Sequence, residues 1–422
     1  PLFKGCVEEL RGVCVQQPTY VRPVSHAPDA RHQNFVHSPQ DNSRLAAESS
    51  DCIKQCKLAM AYDSLPKSDK WSVECDSLTG AVQFTAQNHD DFIIAKRNHC
   101  KQTLAVVAQK LHGLDGAARR RMPAQDHRGA LKYKIITMAC MAIATNWVDP
   151  DVCFDFANGM QLMGDIADYG VQRAFRVPVK KAMPANCDSL NWDLIKRMRG
   201  KSKSASAEQW RDLAETQEAT SREMADGWAE AQYYTKDELD IRWGKGEYCA
   251  VERFPHRRTP DAPVRPCDNA KRDGHNDACS FWEKLTCENA DWPARVAALM
   301  YEAMLIPRTI HVGTQDMKKA YRQCLVKDKR HSVVAIFDTR HGRKHGTVVF
   351  AVLNGLPFGY ASSVLQFHRL SKFLEWVHRC FYGMTIAAYY DDFAICEPAR
   401  CAEHAQSLVA FTFDLLGILL DH

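Results

Sequence analysis

Ala387-Ala388-Tyr389-Tyr390-Asp391-Asp392-Phe393-Ala394-Ile395 sets two adjacent acids inside an apolar, strand-like run. Adjacent carboxylates disfavour a strand interior, and a buried charge needs a partner or a metal. A tight β-hairpin with both acids at its tip meets both constraints. There the carboxylates face solvent and can hold a divalent cation. Asp pairs also occur in ordinary turns, because Asp bonds its own backbone. Asp90-Asp91 is an internal control: it follows Asn88-His89, precedes Phe92-Ile93-Ile94-Ala95, and reads as acids in the first turn of a helix.

Working outward, a strand-like segment at about 308–312 leads into Asp316-Met317-Lys318-Lys319-Ala320-Tyr321-Arg322. Strands are expected at about 332–338 and 346–353, joined by a basic turn from Arg340 to His345. Leu356-Pro357-Phe358-Gly359 breaks the chain. A helix follows with Val364, Phe367, Leu370, Leu374, Val377 and Phe381 on one face. Pro398 opens a last helix that Gly417 closes. Upstream, Glu247 to Val251 and Val264 to Asp268 read as the arms of a hairpin with arginines at and beside its tip. Asp291-Trp292-Pro293 opens a helix through about Leu305. Asp316, Asp391 and Asp392 therefore lie on two strand-like segments with a long helix between them. Neighbouring strands in one sheet would bring these acids within metal-bridging range. Hard cations such as Mg²⁺ prefer oxygen ligands, and two of them can clamp an in-line phosphoryl displacement.

The first half has a different grammar. Residues 17–43 hold four prolines among polar residues and read as a loop or disordered arm. Helical patterns follow at about 43–62, 90–112 and 129–147. Lys201 to Ser206 reads as a linker, and Trp210 to Ala231 as an amphipathic helix. A boundary near residue 236 divides a mainly helical region, 1–235, from a mixed one, 236–422.

The chain has 422 residues, a formal net charge of +4 and 17 cysteines. It starts at Pro1 and stops at His422 without a closing element, so it reads as a fragment. Lys318 to Lys344 carries nine bases against two acids, a local field suited to a polyanion. The odd cysteine count and the absence of a leader point to reduced, buried, intracellular thiols, with cytoplasm or nucleus left open. The spacing of Cys52, Cys56, Cys75 and His99-Cys100 is irregular for zinc. The apolar stretch Ile135 to Val148 is too short to span a bilayer and reads as a core helix.

Asp316 with Ala320-Tyr321, then Leu356-Pro357-Phe358-Gly359, then Tyr389-Tyr390-Asp391-Asp392, resemble in order and spacing the palm motifs of reverse transcriptases. Arg265-Pro266-Cys267-Asp268 and Gly274-His275-Asn276 resemble that family's fingers segment. The flavour is that of retroelement enzymes of the tyrosine-recombinase type, and the resemblance covers about residues 240–422. It implies an α+β right-hand palm with partial fingers. It implies RNA-directed DNA polymerisation with Mg²⁺, an RNA template, a DNA primer or RNA/DNA hybrid, and deoxynucleoside triphosphates. Asp316, Asp391 and Asp392 would be catalytic metal ligands. Tyr321 would be the steric gate against ribose, with Lys318 and Ala320 in the same nucleotide-binding segment. Arg265, with Arg258, would grip the triphosphate. Phe358 and Gly359 would floor the templating pair, and Tyr390 would pack near the primer end. Phe358 stands where many relatives carry Gln, and Asn269 where an acid is common. The stretch Leu416 to His422 resembles the start of the fourth palm motif; its lysine, the primer grip and the thumb are not in the chain. An RNA-binding remnant without catalysis is the alternative this resemblance leaves.

Overall fold

The computed structural model describes residues 2–16, 77–121, 132–172, 174–175, 187–285, 287, 291–340 and 346–421. The arm at 17–43, the helix at 43–62, Cys52, Cys56 and Cys75, and the turn at 341–345 lie outside the described residues. In chain order the elements are α1 (Leu2–Val13), α2 (Ser77–Gln87), α3 (Asp90–Arg119), α4 (Ile135–Ala144), α5 (Val152–Asn158), β1 (Gly164–Ile166), β2 (Ala174–Phe175), α6 (Cys187–Lys203), α7 (Ala207–Ala225) and α8 (Lys236–Trp243). They continue with β3 (Ala250–His256), β4 (Arg265–Asp268), β5 (Cys279–Phe281), β6 (Glu283–Lys284), α9 (Trp292–Ala303), β7 (Ile310–Asp316), α10 (Ala320–Gln323), β8 (Val333–Phe337), β9 (Val348–Val352), α11 (Ala361–Tyr382), β10 (Ile386–Tyr389), β11 (Asp392–Pro398) and α12 (Ala399–Leu416). The class is α+β, as the sequence implied.

Two sheets organise the second half. One is antiparallel, in the order β10-β11-β7. The other runs β4-β3-β8-β9, with β3 parallel to β8 and the other pairs antiparallel. β8 and β9, Val333–Phe337 and Val348–Val352, are buried at every residue; an uninterrupted apolar run is what a strand covered on both faces needs. The expected hairpin of β3 and β4 forms, but strand pairing reaches His256↔Arg265, so Pro255 belongs to the arm and not to the connection. The antiparallel sheet is backed by α9, α11 and α12.

The largest apolar core runs from Phe3 through Met138, Phe156 and Tyr321 to Leu420, so the expected division near residue 236 falls inside shared packing. This explains a difference at α11. The spacing predicted one buried face, yet 19 of its 22 residues are buried, because N-terminal helices cover the rest. Its polar residues are paired accordingly. Arg369 makes a bidentate contact to Asp149 at 2.7 and 3.0 Å and reaches Asp155 at 2.8 Å. Glu375 meets Lys372 and Arg379 and accepts the Ala388 N–H at 2.7 Å.

Three expectations need correction. Lys201 to Ser206 is not a linker: α6 continues through Lys203, and Ser206 caps α7 in a reciprocal box with Gln209. Lys suits a helix C-terminus and Ser an N-cap, so two abutting helix ends imitate linker composition. The amphipathic helix stops at Ala225, which leaves Trp228 and Ala231 beyond it. Cys187 and Cys249 form a disulfide, against the expectation of reduced thiols throughout. Cys100, Cys324 and Cys380 are fully buried, as expected, while His99 is exposed. Among the described residues no helix is long and apolar enough to cross a membrane.

Buried ion pairs fasten α3 to the antiparallel sheet. Arg97 lies bidentate on Glu397 at 2.9 and 3.0 Å, and both side chains are essentially inaccessible. Removing one partner of such a pair strands the other in the core. Arg97→Ala is expected to cost about 3–5 kcal/mol in urea unfolding, and an Arg97→Met/Glu397→Leu variant to recover most of that loss.

Candidate active site

The acids are brought together by strand register. β11 pairs with β7 so that Asp392 stands directly opposite Asp316. β10 and β11 close at Tyr389↔Asp392, leaving Tyr390 and Asp391 as the hairpin turn. The Asp391 carbonyl accepts the Met317 N–H at 3.2 Å, which docks the turn onto the residue after Asp316. On the other flank of β7, Met317 bridges Leu420 and the Asp421 N–H donates to the Asp316 carbonyl at 3.0 Å. Asp316 therefore has an acid on each side. Asp421 was not singled out in the sequence; an acid shortly after the helix-ending Gly417 was its signal.

Like charges set opposite each other in a sheet repel. Reduced hydration, then the charges of Asp391, Asp392 and Asp421, raise the Asp316 pKa above its ordinary 3.8. Burial and then Asp392 raise that of Asp391. The backbone is strained at the same place. Of the three non-glycine residues with positive φ among the described residues, Lys319 (53°) follows Asp316 and Tyr390 (55°) precedes Asp391. Left-handed backbone costs an L-residue roughly 1–2 kcal/mol, and such costs gather at functional sites.

Tyr321 and Ala320 are buried in α10, and Lys318 is exposed. Tyr321 stacks on Phe367 at 4.7 Å and meets Phe358 at 4.9 Å. Burial, and after it the charge of Asp391, pushes its phenol up. Gly359 has φ +84°, and a Cβ there would strike the Asp268 carbonyl. The Leu356–Gly359 loop is thus seated on the end of β4. Tyr390 lies 4.9 Å from Tyr389 and 6.3 Å from His368, centroid to centroid.

Arg265 and Arg258 are exposed on the β3–β4 hairpin, and no side-chain hydrogen bond or ion pair holds either among the described residues. The structure does not bring them against the acids. Arg257 is tethered instead, to Asp212 and Glu215 of α7 at 2.8 and 2.7 Å. The hairpin is linked to the site through charges that sequence reading missed. Arg253 contacts Asp268 at 2.7 Å and Glu223 at 2.8 Å, and Arg322 contacts Glu223 at 3.0 Å. Burial opposes ionisation of Glu223, but Arg322 and Arg253 outweigh it and hold the pKa at about 2.

No protein-family model and no curated protein matches this chain.

Among the described residues no three Asp, Glu, His or Cys side chains are grouped closely enough to cage a metal. The donor chemistry still suits a hard divalent cation: the acids are all-oxygen ligands, adjacent in backbone register, and their ionised forms repel. A carboxyl whose pKa rises on folding holds its proton more tightly in the native state. That contribution favours the fold at low pH and is lost as pH rises through the raised native-state pKa of Asp316, whose charged form is disfavoured by reduced hydration and its acidic neighbours. Asp316→Asn is therefore expected to raise the melting temperature at pH 7 without divalent cations. MgCl₂ should raise that of the unaltered protein more than that of Asp316→Asn/Asp391→Asn in the same calorimetric scan.

Proposed function

We propose that the chain is the catalytic part of an RNA-directed DNA polymerase of the retroelement kind, with its acids in a right-hand palm. One observation carries this reading: Asp316 and the Tyr389–Asp392 turn, some seventy residues apart in sequence, meet across one strand pair, Asp316↔Asp392. Supporting it, the Leu356–Gly359 loop lies beside Tyr321, and an aromatic ring there suits selection against ribose. In this reading Asp316, Asp391 and Asp392 hold Mg²⁺. Bound there, two such ions would lower the pKa of a primer 3′-hydroxyl and offset charge on the departing pyrophosphate. The protein supplies no nucleophile; its task is to orient primer end and triphosphate and to exclude the wrong sugar. Exposed Lys318, with Arg265 and Arg258 on the hairpin, would face the polyanionic substrates. RNA template, DNA primer and deoxynucleoside triphosphates are the proposed partners.

The test is extension of a DNA primer on an RNA template with MgCl₂. The unaltered chain is expected to add deoxynucleotides, and Asp391→Asn to lose at least about 10²-fold in rate, the scale set by removing one group that stabilises transition-state charge. Equal product from both proteins would refute the assignment.

A further inference from the structure

Of the two rings in contact where the Leu356–Gly359 loop meets α10, solvent reaches Phe358 rather than Tyr321. Phe358 is 42% exposed and Tyr321 only 7%. Tyr321 is packed against both Phe367 and Phe358, so little of its ring remains for a ligand to meet. An exposed aromatic is by itself ordinary. What distinguishes Phe358 is how firmly the chain around it is fixed. Ahead of it, the Leu356 N–H donates to Cys324 O at 2.9 Å, and the Leu356 carbonyl accepts Arg322 Nη1 at 2.6 Å. Behind it, the Gly359 carbonyl accepts Asn276 Nδ2 at 3.1 Å, and Asn276 Oδ1 accepts the Ala361 N–H at 2.9 Å. Gly359 abuts the Asp268 backbone in a conformation that a side chain would not fit. The Arg322 guanidinium lies 5.5 Å from the centre of the Phe358 ring and is itself fixed by Glu223. A loop this constrained, holding an apolar ring out to solvent, has little ordering left to lose on binding.

We propose that Phe358 is the surface the sugar of an incoming nucleoside triphosphate meets, and that Tyr321 is its backing. This rests on the polymerase reading and reassigns the gate within it. A ribose 2′-hydroxyl set against the Phe358 ring would lose its water without gaining a hydrogen-bond partner; the methylene of a deoxyribose would not. Phe358 is then a specificity-determining residue, and Tyr321 acts through it as a positioning residue.

The experiment measures incorporation of deoxyribonucleotides against ribonucleotides by the full chain on a primed RNA template with MgCl₂. Unaltered protein is compared with Phe358→Ala, Phe358→Leu and Tyr321→Phe. Phe358→Ala is expected to lower the deoxy-to-ribo ratio about tenfold or more, as loss of part of an apolar pocket does, chiefly by faster ribonucleotide use. Phe358→Leu, which keeps apolar bulk and guards against a folding defect, should fall between. Tyr321→Phe keeps the backing ring and should stay within about twofold. Product from the unaltered chain with an unchanged ratio in both Phe358 variants overturns this inference and leaves the polymerase reading standing. A ratio that collapses in Tyr321→Phe but not in Phe358→Ala also overturns it. No product from the unaltered chain overturns both readings together.

Discussion

The pairing of β7 with β11 is the constraint on which the site depends. Side chains alternate along a strand, so a slip of one residue would send Asp392 to the opposite face from Asp316. At the tip the facing acids repel, against which stand backbone hydrogen bonds such as Met317 N–H to the Asp391 carbonyl. The register is further held from the far end of the strands. Arg97 of α3 grips Glu397, next to the Pro398↔Ile310 pair. Arg308, just ahead of β7, donates to Asp90 at the start of the same helix at 2.6 Å and to the Thr85 carbonyl at 2.6 Å. One helix from the first half thus fixes the distal ends of both strands that carry the acids. The attraction buried at one end can outweigh the repulsion exposed at the other because burial strengthens Coulombic interaction and solvent screens it.

A second tether does the same for the hairpin and the Leu356–Gly359 loop. Glu223 of α7 and Asp268 of β4 share Arg253 and Arg322 in a buried group of four charges. Arg322 follows Tyr321 and also holds the Leu356 carbonyl. A displacement of the hairpin would therefore be felt at the aromatic group beside the acids. Such a network is costly to assemble and more costly to break at one member, which suits it to fixing relative positions rather than to adding stability.

Local grammar was legible in the sequence where it was decisive. The Tyr389–Asp392 hairpin, the helix from Trp292, the helix end at Gly417 and the first-turn acids Asp90-Asp91 all follow from turn chemistry, capping and period. The acids' convergence was also legible, because two short strand signals flanking a long helix leave few arrangements. What could not be read was any feature decided by partners distant in sequence. Arg97 and Glu397 are three hundred residues apart and look like ordinary surface charges. Glu223, Arg253 and Arg322 look the same. The all-round burial of α11 is invisible for this reason: Glu375 and Arg379 pair within the helix, but the acids that neutralise Arg369, Asp149 and Asp155, lie far away in sequence. Asp421 was passed over because its neighbour across the sheet, Asp316, lies about a hundred positions away.

The cost of this arrangement is concentrated. Two left-handed non-glycine residues, Lys319 and Tyr390, and two carboxyls with raised pKa, Asp316 and Asp391, lie within a few residues of one another. The apolar core and the buried ion pairs lie behind them. A fold selected for stability alone would relieve the strain with glycine and the repulsion with an amide. That neither substitution is present leaves negative charge concentrated at one end of the strand pair, where Asp392 faces Asp316. The same reasoning sets the division of labour between the two halves of the chain: the helices of the first half supply the rigidity against which the second half can hold its charges unneutralised.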